Sequence, residues 1–118
     1  MDQYNIPTIA VVGPCGAGKT TLIVALKEMG YSTRHIAQEH SYVPNMWARL
    51  VKPDVLVYLN ASYSVSTKRR KLDWSLQEYD EQLRRLHDAR QHADLIIETD
   101  ELTPSEVLQQ VLEFVNSI

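Results

Sequence analysis

Eight residues constrain this chain more than any other stretch: Gly13-Pro14-Cys15-Gly16-Ala17-Gly18-Lys19-Thr20. They fit G-x-x-x-x-G-K-[ST], the Walker A phosphate-binding loop. An apolar run, Thr8-Ile9-Ala10-Val11-Val12, precedes them, and Thr21-Leu22-Ile23-Val24-Ala25-Leu26 follows. That is the strand–loop–helix context the motif requires. Glycines let the backbone curl so that successive N–H groups point at phosphate oxygens, and the following helix adds its positive dipole end. On this reading residues 13–21 form the nucleotide phosphate cradle. Gly13, Pro14, Cys15, Gly16, Ala17 and Gly18 shape it, and Lys19 reaches the terminal phosphates. The Thr20 hydroxyl ligates Mg²⁺, and Thr21 is placed to donate to the next phosphate inward.

The rest of the chain alternates strand and helix patterns. The spacing predicts a helix over Thr20 to Met29, with Leu22, Ile23, Leu26 and Met29 on one face and Gly30 as its stop. A strand is expected over Thr33 to Gln38 and a short helix over Met46 to Lys52, closed by Pro53. Asp54 to Leu59 reads as a strand buried on both faces, and Ser62 to Lys71 as a helix ending in a basic run. Ser75 to Ala93 reads as one helix with a Ser75–Glu78 capping box and an apolar face of Leu76, Tyr79, Leu83 and Leu86. Asp94 to Ile97 is a further strand. Thr103-Pro104-Ser105-Glu106 opens a last helix carrying Val107, Leu108, Val111, Leu112 and Val115. The order predicts a three-layer α/β/α fold on a short parallel sheet of about four strands, with residues 1–118 forming a single domain.

Totals narrow the classes. Apolar and charged fractions of 44% and 23% are ordinary for a globular chain, and a net charge of −3 argues against nucleic-acid binding driven by charge. Cys15 is the only cysteine, which excludes an intramolecular disulfide. No segment reaches the ~20 apolar residues of a membrane span, and Met1 to Asn5 do not read as a signal peptide, so a cytoplasmic location is expected.

Completing a Mg²⁺ site takes a carboxylate at the end of a neighbouring strand. Glu39 and Asp100 are the candidates, and Glu39 is favoured if the second strand lies beside the first. Lys68-Arg69-Arg70-Lys71 is either a solvated helix end or a source of arginines for phosphate charge. Arg84, Arg85 and Arg90 are alternatives, Arg84 and Arg85 diverging by about 100°. His35, His40, His87 and His92 show no metal-ligand spacing, and His40 is the one placed to touch substrate. Cys15 is read as a spacer, and Trp47 as core rather than as an acceptor contact beside Arg49.

The phosphate loop, the Pro53-Asp54-Val55-Leu56-Val57-Tyr58-Leu59 strand with Arg69-Arg70 after it, and the closing Ala93-Asp94-Leu95-Ile96-Ile97-Glu98-Thr99-Asp100 together resemble the P-loop small-molecule kinases. Shikimate, gluconate, adenylylsulfate and nucleotide kinases share that layout. The resemblance implies ATP and Mg²⁺ as cofactors and a small-molecule phosphate acceptor. It also implies lid arginines at Arg69 or Arg70, a hinge over residues 60–75, and an adenine contact in the turn Thr99 to Thr103. With Lys19 and Glu39 read from the residues themselves, the expected catalytic set is Lys19, Glu39, Arg69 and Arg70. Three functions are weighed: a phosphotransferase, an NTPase or switch acting through a protein partner, and a binding module without turnover. The chain lacks an Asn-Lys-x-Asp guanine motif and a Leu-Ser-Gly-Gly-Gln transporter signature.

Overall fold

The computed structural model describes residues 6–50 and 52–118, without the side chain of Leu50. The reading of the first five residues lies outside this range, as does residue 51 of the expected Met46 to Lys52 helix, whose last expected residue, Lys52, is not helical. The elements are β1 (Thr8–Val12), α1 (Lys19–Glu28), β2 (Ser32–His35), a single 3-10 turn (Gln38–His40) and α2 (Met46–Leu50). β3 (Val55–Asn60), α3 (Tyr63–Arg70), α4 (Leu76–Arg85), α5 (His87–His92), β4 (Leu95–Glu98) and α6 (Pro104–Ser117) follow. All strand pairs are parallel, in the order β2-β1-β3-β4.

The two inner strands, β1 and β3, are buried without alternation because both faces of the sheet are covered there, whereas the edge strands β2 and β4 are partly exposed. Ile9, Val11, Val57 and Ile97 pack against Leu22, Leu26, Val107 and Val111, so α1 and α6 form one outer layer. Ala10, Val12, Leu56 and Tyr58 pack against Leu86 and Ala89, which places α5 in the other. β1 is central, with Ala10 aligned to Arg34 on one side and to Leu56 on the other. The chain leaves β1 for β2 on one side and later returns as β3 on the other. That reversal opens a crevice at the carboxyl end of β1, where ligands of such sheets sit.

Three expectations need correction. The expected strand over Thr33 to Gln38 is only Ser32–His35, because Gln38 is drawn into the interior. Its side chain donates to the carbonyls of Val43 and Arg85 and accepts from the Trp47 amide, which pulls the chain out of the sheet. The helix over Ser75 to Ala93 breaks at Leu86, whose amide is shared between the Gln82 and Leu83 carbonyls. That tightened turn redirects the chain so that Leu86 and Ala89 both reach the sheet. Met29 and Leu76, assigned to buried faces, are 53% and 54% exposed. Met29 caps α1 just past its last turn, and Leu76 sits at the first position of α4, each at the end of its apolar stripe.

Candidate functional site

Residues 13–18 join β1 to α1 through a loop whose shape glycine dictates at two points. A Cβ on Gly13 would lie 2.1 Å from the Leu59 carbonyl oxygen. At Gly16, φ is +83° and a Cβ would lie 2.7 Å from the Ser66 Cβ and 2.8 Å from its Cα. The loop is therefore pressed against both β3 and α3. Ser66 fits there because its hydroxyl is turned back onto the Ser62 and Tyr63 carbonyls.

Inside the loop, the Cys15 amide donates to Gln82 Oε1 at 3.0 Å and the Ala17 amide to the Pro14 carbonyl at 3.2 Å. The first intrahelical bond of α1 runs from the Leu22 amide to Gly18, and Gly18 supplies no side-chain cap. The amides of Gly18, Lys19, Thr20 and Thr21 thus head the helix as its orphan donors, with no acidic side chain in the first turn to answer them. Such a terminus is suited to an anion.

Lys19 is 6% exposed. Its ammonium donates to the Gly13 carbonyl, to the Pro14 carbonyl at 3.0 Å and to Glu39 Oε2 at 2.8 Å. Glu39 reaches it from the 3-10 turn after β2, the strand that does lie beside β1. Its side chain is 5% exposed, yet among the described residues Oε1 has no hydrogen-bond partner. His40 Nε2 lies 3.9 Å from Glu39 Oε2 and 3.7 Å from Cys15 Sγ. His35, at the end of β2, is held below its usual 6.5, first by burial and then by the Lys19 charge, with Glu39 opposing.

These groups line a cavity of about 600 Å³ that runs from His35, Ala37, Glu39 and His40, past residues 15–22, to Leu102, Pro104 and Val107. One end is polar and the other apolar. Arg69 and Arg70 both line it, but they are held differently. Arg69 donates to the Thr99 carbonyl at 2.6 Å, to the Thr99 hydroxyl at 2.9 Å and to the Gly16 carbonyl at 3.3 Å. It ties α3 to the phosphate loop and to the end of β4, so the segment expected to hinge is anchored at this point. Arg84 pairs with Glu81 at the surface, whereas Arg85 reaches the Glu39 carbonyl at 3.4 Å from behind. Arg90 lies over the Tyr58 ring.

Asp100 is not among the cavity residues; its carboxylate accepts from the Ser62 amide at 2.9 Å, at the head of α3. Trp47 packs beside the second core cluster and donates to Asp88, and the exposed Arg49 does not line the cavity. Gln82 and Ser66 shape the site without having been singled out in the sequence, and Thr99, expected beside the adenine, instead holds Arg69. Gln82 carried a signal, being a polar residue on the α4 stripe with Tyr79 and Leu86.

No protein-family model matches this chain, and no curated protein matches its sequence. Among solved structures it is similar to shikimate kinase from Acinetobacter baumannii in complex with shikimate. The TM-score is 0.68 at 16% identity, over 96% of this chain and 94% of that one. The shared fold places helices on both sides of a four-stranded parallel sheet, with the glycine-rich loop after the inner strand β1. Among the described residues no helix is long and apolar enough to cross a membrane.

Proposed function

We propose that this chain is a Mg²⁺-dependent phosphotransferase that moves the γ-phosphoryl group of ATP to a hydroxyl of a small molecule. One observation carries the reading: a buried lysine of the phosphate loop and a buried carboxylate are paired in one cavity with room on both sides. The apolar end at Leu102, Pro104 and Val107 suits a purine, and the end at His35, Glu39 and His40 suits a hydroxyl-bearing acceptor. The solved neighbour, a shikimate kinase in complex with shikimate, fits the same reading.

Mg²⁺ fits the donors present. Glu39 Oε1 is a buried oxygen without a partner, and the Thr20 hydroxyl lies exposed on the cavity lining. Both are hard oxygen ligands. These two residues would hold the ion, which when bound neutralises charge on the phosphates.

The chain's own groups supply the rest. Amides of Gly18 to Thr21 fix the phosphates. Lys19 exchanges the Glu39 carboxylate for phosphate oxygens, and Glu39 Oε2, so released, accepts the proton of the acceptor hydroxyl. The acceptor oxygen forms the new bond to phosphorus as the bond to the β–γ bridging oxygen breaks. Arg70 meets charge on the transferring group, and Arg69 holds the loop and the β4 end in register.

A second reading, an NTPase working through a protein partner, draws support from Tyr42 and Val43, which are 85% and 40% exposed beside the site. ADP formation measured with Mg²⁺ and a panel of small hydroxyl compounds separates the two, with Lys19→Ala as control. Acceptor-dependent ADP release that vanishes in the control supports the kinase; release indifferent to every acceptor overturns it.

A further inference from the structure

The 3-10 turn brings three different metal-binding side chains together at the loop's edge. The thiol of Cys15, the Glu39 carboxylate and the His40 imidazole each place one donor atom within 4.8 Å of the other two. Sequence spacing hides the group, since 24 residues separate Cys15 from Glu39 and only the β2–β1 pairing joins them. We propose that these residues form a site for a borderline-soft divalent cation of the zinc class, which shares Glu39 with the proposed Mg²⁺ position and competes with it for that carboxylate.

Two of the three donor distances come close to the geometry of this ligand set, and the third pair, Cys15 Sγ and the Glu39 carboxylate, lies within 4.8 Å. With Zn–S near 2.3 Å and Zn–N near 2.05 Å, tetrahedral angles put sulfur and nitrogen ligands roughly 3.6 Å apart. Cys15 Sγ and His40 Nε2 are 3.7 Å apart. For nitrogen and carboxylate oxygen the same construction gives roughly 3.4 Å. Here Glu39 Oε2 stands 3.9 Å from His40 Nε2. The His40 side chain is 59% exposed and is free of core packing, so it can close that gap.

Glu39 Oε1, the same oxygen offered to Mg²⁺, is buried without a partner among the described residues, a costly arrangement for a carboxylate oxygen that a cation would relieve. The sulfur is also oriented: Gln82 Nε2 donates to Cys15 Sγ at 3.2 Å while Gln82 Oε1 holds the Cys15 amide, the kind of outer support that ligating residues receive. Thiolate and imidazole select zinc-like ions, whereas Mg²⁺ avoids them. An ion there links the phosphate loop to the 38–40 turn and claims the carboxylate that Lys19 holds in the empty site.

Co²⁺ titration of the nucleotide-free, reduced protein without oxygen tests the site by absorption. Because Cys15 is the only cysteine, a thiolate-to-cobalt charge-transfer band reports this residue alone. The expected result is one equivalent bound with that band, displaced by Zn²⁺ and retained in excess Mg²⁺. Cys15→Ala should remove the band. His40→Ala, a surface change that spares the fold, should weaken Co²⁺ binding about tenfold or more. No charge-transfer band at one equivalent, or a band and affinity unchanged in His40→Ala, overturns the proposal. The readout uses no nucleotide, so it stands or falls separately from phosphotransfer.

Discussion

Replacing Lys19 with methionine keeps most of the side-chain volume and removes the charge, which isolates the ion pair with Glu39. Both side chains are about 5% exposed and the contact is 2.8 Å. At an effective dielectric of 20, the gross attraction is about 6 kcal/mol, much of it offset by desolvation of the two ions. Losing one partner is not offset in that way. Lys19→Met strands a buried carboxylate, and it also strands the Gly13 and Pro14 carbonyls. The expected cost is about 3–5 kcal/mol, the usual range for breaking a buried pair.

Glu39→Gln is milder, because Lys19 keeps its two loop carbonyls; about 1–2 kcal/mol is expected. The double variant should cost at least about 2 kcal/mol less than the sum, since neither charge is left alone. Urea unfolding of the nucleotide-free protein, followed by fluorescence of Trp47 and Trp74, measures all three. If Lys19→Met matched or exceeded wild-type stability, or if the two single costs simply added, the pair would not be the buried, mutually dependent unit described.

Other outcomes follow from the same geometry. Gly16→Ala should destabilise by at least about 1–3 kcal/mol, because its Cβ meets the backbone and side chain of Ser66. Gly18→Ala, whose Cβ meets nothing within 4 Å, should cost less; thermal unfolding of the two compares them directly. Arg70→Ala should lower kcat about a hundredfold with nucleotide affinity little changed. Arg69→Ala should weaken nucleotide binding, since its three hydrogen bonds fix the loop and the end of β4; calorimetry beside turnover tells the two arginines apart. For His35 the sign is set by its lowered pKa: above 6.5 both folded and unfolded forms are neutral and its contribution is flat. As pH falls below 6.5 the unfolded chain takes the proton first, so stability declines until the folded imidazole titrates too. NMR titration should show the His35 pKa rising in Lys19→Met, where one of the two lowering influences is gone.

The layered fold was legible because its signals are local. A glycine-rich loop between an apolar strand and a helix, two capping boxes, and strands without alternation each declare themselves within a few residues. The capping boxes at Ser75 and Thr103 are both present. What escaped depends on distant partners. Gln38 looks like an ordinary polar strand residue until Val43, Arg85 and Trp47 converge on it. The break at Leu86 has no glycine or proline to announce it and comes from the helix bending onto the sheet.

The site divides in the same way. Glu39 could be placed by topology, because the carboxyl end of the strand beside β1 is where its acid should fall. Gln82 reaches Cys15 across 67 residues, so neither the loop's outer support nor the Cys15–His40 contact had a local pattern to reveal it. Arg69 and Arg70 are neighbours in one basic run, and only coordinates distinguish the anchored one from the other.

The most direct measurement follows the γ-phosphoryl group itself, with γ-labelled ATP, Mg²⁺ and a set of small hydroxyl acceptors. Label is expected on an organic acceptor with the wild-type protein, and none with Lys19→Ala or Glu39→Ala. Label recovered only as inorganic phosphate, whatever the acceptor, would contradict a kinase site; undiminished Mg²⁺-dependent transfer by Glu39→Ala would contradict the role given to the buried pair.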